Sequence, residues 1–234
     1  MMHYRPLFAA ALLAASATPA FAGDIAAGLV AGTAGVGAEV TYGIAKDFNL
    51  RGTLRGFDYG YDFTEDNIRY DGDLKLRNGG VTVDWFPFGG SFRLSAGAMY
   101  NGNEVKAKAR PETLPATYEI GNTTYQIDGS VDATIDWRKF APYLGLGWGN
   151  AIGKGSNWSF SFDLGVMFTG EPNTDLSASG RYSTDGGTTY TDINLNDPAN
   201  PFTQDIEREK ANLNDEIKDA KFYPVIQLGV HYKF

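Results

Sequence analysis

The sequence predicts an all-β chain: an eight-stranded antiparallel transmembrane β-barrel with a short surface helix before the last strand. Three observations carry this prediction. Apolar residues recur at every second position in segments of about ten residues, as in strands with one face on lipid and the other on a lumen. An export signal opens the chain, yet no later stretch offers about 18 uninterrupted apolar residues for a helical span, which leaves a closed barrel as the membrane-crossing alternative. Tight turns alternate with long polar connections, the usual arrangement of a barrel with short turns at one rim and loops at the other.

The export signal is Met1 to Ala22, with Arg5 near its start, an apolar run from Leu7 to Ala15, and Ala20-Phe21-Ala22 as the small-residue cleavage site. Residues 23–234 then form the barrel. There is no cysteine, so neither a disulfide framework nor a thiolate metal site can be built. With 20 Lys+Arg against 28 Asp+Glu, the formal charge is −8, and no nucleic-acid partner is expected.

Asp24 to Gly32 is an Ala/Gly-rich first strand, required by even strand parity. Val36, Ala38, Val40, Tyr42 and Ile44 form one face of the second, which stops at the turn Ala45-Lys46-Asp47-Phe48. Leu50, Gly52 and Leu54 oppose Arg51, Thr53 and Arg55 in the third, which climbs through Phe57, Tyr59, Tyr61 and Phe63 into a loop at Thr64–Arg69. In the fourth, Leu74 and Leu76 oppose Asp73, Lys75 and Arg77, but beyond Asn78-Gly79-Gly80 the apolar phase moves to Val81, Val83 and Trp85. A glycine bulge accounts for that shift. After the turn Phe86 to Gly90, Phe92, Leu94, Ala96, Ala98 and Tyr100 alternate with Arg93, Ser95, Gly97 and Met99.

Asn101 to Asp128 reads as strand extensions around a long loop. Val131 to Gly149 reads as one long strand, with Pro142 at the membrane rim or at a bulge. A glycine turn, Ala151 to Ser156, leads to the clearest strand, in which Trp158, Phe160, Phe162, Leu164, Val166 and Phe168 oppose Ser159, Ser161, Asp163, Gly165 and Met167. Glu171 to Ala220 is a long polar connection, predicted to be extracellular. Its part from about 200 to 220 is predicted to be helical, with Asn200-Pro201 as N-cap and N1, Asp205, Glu207 and Glu209 near the positive end of the dipole, and a thin apolar stripe of Ile206, Leu213 and Ile217. Ile226, Leu228, Val230, Tyr232 and Phe234 form one face of the last strand.

Leu228-Gly229-Val230-His231-Tyr232-Lys233-Phe234 resembles the closing strand of bacterial outer-membrane β-barrels. The resemblance implies that Tyr232 and Phe234 serve as a signal to the barrel-assembly machinery. Over most of the mature chain the pattern is similar to the OmpA-like group of eight-stranded barrels of the Gram-negative cell envelope, without the periplasmic peptidoglycan-binding domain of larger relatives. A monomer in outer-membrane lipid is the implied state.

Opposite the apolar faces stand Glu39, Arg51, Arg55, Asp84, Arg93 and Asp163. Eight strands enclose an interior that side chains just fill, so Glu39, Arg51, Arg55, Arg93 and Asp163 are expected to pair as a lumen ionic network, centred on Arg93 with Glu39 and Asp163 as its partners. Opposing glycines would make room for them. Trp85, Tyr100, Trp148, Trp158, Phe168 and Tyr232 suit the aromatic girdles at the interfaces. His231, lumen-facing near the periplasmic end, has no nucleophile beside it that the sequence identifies, and Asp71-Gly72-Asp73 and Asp62 to Asp66 lack EF-hand spacing. No catalytic residue, metal site or cofactor is expected. The functional reading is a non-enzymatic surface barrel with a structural or binding role through its loops, its ligand unspecified. A narrow channel for small polar solutes and an outer-membrane lipid-modifying enzyme are the alternatives.

Overall fold

The computed structural model describes residues 24–65, 68–111 and 114–234; the expected export signal, Met1 to Ala22, lies outside them. The strands are β1 Ile25–Gly32, β2 Gly35–Ala45, β3 Phe48–Glu65, β4 Ile68–Trp85, β5 Phe92–Asn101, β6 Glu104–Pro111 and β7 Ala116–Ile120. They continue as β8 Thr123–Asp136, β9 Phe140–Trp148, β10 Trp158–Phe168, β11 Asn173–Ser183, β12 Thr191–Asp192 and, after helix α1 Pro201–Ile217, β13 Phe222–Lys233.

Eight of these strands close into a ring in the order β1, β2, β3, β4, β5, β9, β10, β13. Every neighbouring pair is antiparallel, and the last strand returns to the first, with Ala26 opposite Lys233 and Gly32 opposite Gln227. The Ala/Gly-rich first segment is thus a barrel strand. Closure leaves no unpaired edge within lipid, the condition for a sheet to cross a membrane. Leu54, Phe160 and Leu228 are 72%, 75% and 64% exposed on the outer wall, while Thr53, Arg55, Ser161 and Gln227, which alternate with them, are buried. Apolar outside and polar inside is the pattern of a transmembrane barrel.

Strands β3 and β4 are each 18 residues long. A tilted strand crosses the bilayer in about 9–11 residues, so roughly half of this hairpin stands clear of the membrane. There β4 exchanges its neighbour: Asn78–Trp85 pairs with β5, whereas Ile68–Lys75 pairs with β6. Strands β6, β8, β11 and β12 extend the sheet from that point, and β7 forms a hairpin with β8. We call this extension the crown.

The crown corrects three expectations. First, the glycine bulge in β4 is not there. Pairing of β3 with β4 runs without a register shift from Phe48 opposite Trp85 to Glu65 opposite Ile68. Leu74 and Leu76 share the inner face with Asn78, Thr82 and Asp84; the pleat is unbroken, and the apolar side changes because the strand leaves lipid for water. Second, Val131–Gly149 is two strands. Asp136 ends β8 in the crown and Phe140 starts β9 in the barrel, and the intervening bend is held by Asn101, whose backbone N–H donates to Lys139 O at 2.8 Å and whose Nδ2 donates to Arg138 O at 3.2 Å. Third, the first half of Glu171–Ala220 contains β11, paired onto β8 from Asn173 opposite Asp136 to Ser183 opposite Gln126, and β12, paired onto β11 through Arg181 opposite Asp192.

Above the membrane the two faces of the sheet exchange character. One row runs Tyr59, Leu74, Val105, Ile135, and the next Tyr61, Gly72, Ala107, Ala133, Leu176. The opposite face carries Asp58, Lys75, Glu104 and Asp136 in register. Helix α1 covers the β8 and β11 part of the apolar face. Phe202 and Ile206 bury against Ile120, Tyr125 and Ile127, with Tyr182 and Leu176 around them. Asn200 caps the helix by accepting from Phe202 N at 2.9 Å. The acidic residues begin only in the second turn: Asp205 accepts from the Tyr125 hydroxyl and Glu209 from Gly121 N, so they serve tertiary contacts rather than the helix dipole.

Candidate functional site: the lumen and the crown

The lumen-facing positions of β2, β3, β4, β5, β10 and β13 bring Glu39, Arg51, Asp84, Arg93, Asp163 and Gln227 together at the centre of the barrel. Arg51, only 4% exposed, is the hub. Its Nη1 lies 3.2 Å from Asp163 Oδ1 and 3.5 Å from Glu39 Oε2, and its Nη2 lies 2.9 Å from Asp84 Oδ1 and 3.2 Å from Ser95 Oγ. Arg93 reaches Asp163 Oδ1 through Nη2 at 2.6 Å, donates to Gly149 O, and stands 3.9 Å from Asp84 Oδ2. Glu39 therefore belongs to Arg51 and not to Arg93. It also accepts from Thr53 Oγ1 and Gln227 Nε2, and its Oε1 is 2.9 Å from His231 Nε2. Arg55 stands apart from the carboxylates, donating through Nη1 to Gln227 Oε1 at 2.6 Å.

Three carboxylates around two guanidiniums is a charge-dense arrangement, and the low dielectric of a barrel interior makes each missing partner expensive. Glycines provide the space. A Cβ on Gly165 would come within 2.5 Å of Tyr143 Cζ, and one on Gly147 within 2.7 Å of Asp163 Oδ1. Toward the crown an apolar layer of Met99, Ala141, Tyr143, Met167 and Val225 lies over the ionic layer. The space left between Arg51, Arg55, Tyr143, Asp163 and Gln227 is about 10 Å³, roughly the volume that one water centre needs. The barrel is closed at this level.

Sequence reasoning found Glu39, Arg51, Arg55, Arg93 and Asp163, all of them buried, but placed the centre at Arg93. It named Asp84 only as an inward charge and missed Gln227, which bridges Arg55, Glu39 and Asp163. The signal for both was their phase: each stands on the polar side of its alternating strand. His231 is buried with Glu39 as its partner. Tyr232 faces outward and packs edge-on against Trp158 and Phe234, ring centroids 5.1 and 5.4 Å apart. At the same rim Phe48 stacks on Trp85 and Phe92 meets Trp148. Tyr100, Phe140, Phe168 and Phe222 ring the barrel at the crown end.

In the crown, Phe57, Tyr59 and Tyr61 form a stacked ladder on the inner face of β3, successive centroids 6.4 Å apart, and all three are exposed. The buried Tyr125 hydroxyl donates to Asp205 Oδ2 at 2.6 Å, and Arg208 Nη1 lies 2.8 Å from Asp205 Oδ1. That hydrogen bond, with help from Arg208, holds the Asp205 carboxyl below its ordinary value; burial, and then Asp205 itself, push the Tyr125 hydroxyl well up. Asp185, fixed by the Ser183 hydroxyl and by the backbone N–H groups of Thr188 and Thr189, is brought down to about 2.

No protein-family model matches the sequence, and no curated protein is significantly similar to it. Solved structures do match in fold. CarO of Acinetobacter baumannii aligns with 89% of this chain and 97% of its own, at a TM-score of 0.54 and 21% identity. CarO2 of Acinetobacter baumannii aligns with 90% and 98%, at 0.55 and 17% identity. A major outer membrane protein of Thermus thermophilus aligns with 92% and 100% at a TM-score of 0.44 and 14% identity. With its apolar outer wall, closed ring and filled polar lumen, this chain has the fold of a transmembrane β-barrel.

Proposed function

We propose that this protein is a non-conducting, non-enzymatic barrel that holds its crown outside the cell as a binding surface. One observation carries the reading: a lumen filled by an ionic and an apolar layer lies beneath a crown whose β3–β4–β6 face, with Phe57, Tyr59, Tyr61, Leu74 and Val105, is left uncovered by α1. Aromatic faces in a row suit an apolar or ring-bearing partner. The strand count of eight supports placement with the OmpA-like barrels. Parity supports an external crown, because β10 rises from the turn Ala151–Ser156 and β13 returns to the rim that also carries the turns Ala45–Phe48 and Phe86–Gly90.

Two measurements test the proposal. In planar bilayers the folded protein is expected to give no resolvable unit conductance; steady solute-sized steps would replace this reading with a narrow channel. Protease added to intact cells is expected to cut within Glu171–Ala220 and spare the turns at Ala45–Phe48 and Phe86–Gly90. Cleavage at those turns with the crown protected would reverse the topology and remove the binding role.

A further inference from the structure

The outer wall of the barrel is grooved at the crown end, where β9 runs on past the end of β10. Pairing of these strands stops at Met167 opposite Tyr143, although β9 continues to Phe140 along β5. Pro142 lies just beyond the last pair and has no N–H to offer across the seam. An open furrow of about 520 Å³ results, with Phe140, Pro142, Phe168 and Phe222 as its walls and Arg138 and Lys221 at its upper edge. Its floor faces the hydrocarbon; its edge lies where the strands emerge.

Both cations are held in place by the backbone around them. Trp137 donates its indole N–H to Ala220 O at 2.9 Å, which ties the Arg138 segment to the Lys221 segment. Thr169 Oγ1 donates to Lys221 O at 3.1 Å, and Asn101 Nδ2 holds Arg138 O. The Arg138 side chain lies across Gly170, where a Cβ would approach its Cδ to 2.9 Å and its Nε to 3.0 Å. Lys221 Nζ stands 5.8 Å above the Phe222 ring and 3.9 Å from Asp219 Oδ1, the latter at the limit of an ion pair and on an exposed side chain. Among the described residues no carboxylate is within ion-pairing distance of Arg138. On a chain of formal charge −8, a pair of cations above an apolar trough is complementary to one class of molecule: an anionic head on acyl chains.

We propose that this furrow binds a phosphorylated lipid of the leaflet at the crown end. Arg138 and Lys221 take a lipid phosphate, Arg138 through its fork of N–H donors and Lys221 as a point charge. One acyl chain lies in the furrow between Phe140, Pro142, Phe168 and Phe222. Apolar contact alone would bind any chain, and charge alone any anion; the two together select a phosphorylated amphiphile.

The test uses the folded full barrel in detergent, native mass spectrometry, and bisphosphorylated lipid A as the probe. The intact protein is expected to retain one lipid A, and Arg138→Gln with Lys221→Gln is expected to weaken retention at least about tenfold, as loss of charge-assisted hydrogen bonds does. Lys106→Gln with Lys108→Gln, which removes two crown lysines away from the furrow, serves as the charge control and is expected to retain lipid A like the intact protein. Phe168→Ala with Phe222→Ala should lower retention while leaving the cations in place. Heat-modifiable gel mobility reports folding of every variant. Equal retention of dephosphorylated lipid A would overturn the phosphate assignment, and competition by millimolar inorganic phosphate would reduce the furrow to a simple anion site. Equal losses for the control and the Arg138/Lys221 pair would show non-specific attraction and sink the proposal.

Discussion

Arg51 Nη1 lies 3.2 Å from Asp163 Oδ1 across the barrel lumen, although 112 residues separate the two in sequence. The same carboxylate oxygen receives Arg93 Nη2 at 2.6 Å. Arg51 is the group that all three inward carboxylates share.

Arg51→Leu is therefore expected to destabilise the barrel more than Arg93→Leu. It leaves Glu39 and Asp84 without their nearest cation, and removing one partner of a buried ionic set costs about 3–5 kcal/mol. Urea unfolding in lipid vesicles, followed by gel mobility, reads the difference. An unchanged midpoint for Arg51→Leu would mean that the carboxylates are hydrated and the network is not structural.

Gly165→Ala is expected to cost about 1–3 kcal/mol, the usual penalty of overpacking, because its new methyl would collide with the Tyr143 hydroxyl and lie 2.5 Å from its Cζ. Combined with Tyr143→Leu, the same substitution should cost little beyond Tyr143→Leu alone. Strict additivity of the two would show that Tyr143 moves aside and that the glycine is not a notch for it.

Tyr125→Phe is expected to loosen α1 from the crown by about 1–3 kcal/mol, since it removes a buried hydrogen bond to a charged acceptor, while leaving the barrel intact. Hydrogen exchange over 201–217 would detect this. The pH dependence has a definite sign. The Asp205 carboxyl is held below its ordinary value, so its contribution is complete above the unfolded pKa of about 3.9 and fades as pH falls below it. Tyr125 is raised, so stability declines again above about pH 10, where only the unfolded tyrosine ionises. Helix protection factors that are flat from neutral pH down to about 3 would contradict the Asp205 assignment.

Phe234→Ala is expected to reduce insertion into the outer membrane without reducing export, with Tyr232→Ala acting in the same direction. Phe234 N–H donates to Ile25 O at 3.0 Å, and its ring packs on Tyr232 at the seam between the first and last strands. Membrane fractionation measures the yield. Normal yield for both variants would leave the strand pairing as their only role.

The barrel was legible in the sequence because lipid imposes a period of two. In Trp158–Phe168 and Val225–Phe234 every outward residue must be apolar, so the side chains that break the rule, Glu39, Arg51, Arg93 and Asp163, reveal the lumen by phase alone. Which of them pair was decided by the closed ring, since the shear of the barrel brings Arg51 of β3 to Asp163 of β10, and linear spacing carries no record of that register. The crown was decided by tertiary structure for a further reason. On β4 the same unbroken pleat turns Val83 toward lipid and Leu76 toward the interior, and a periodic pattern that changes side reads equally as a bulge or as a change of solvent. Only the uninterrupted pairing with β3 distinguishes the two, because register is a relation between strands and is absent from either one alone.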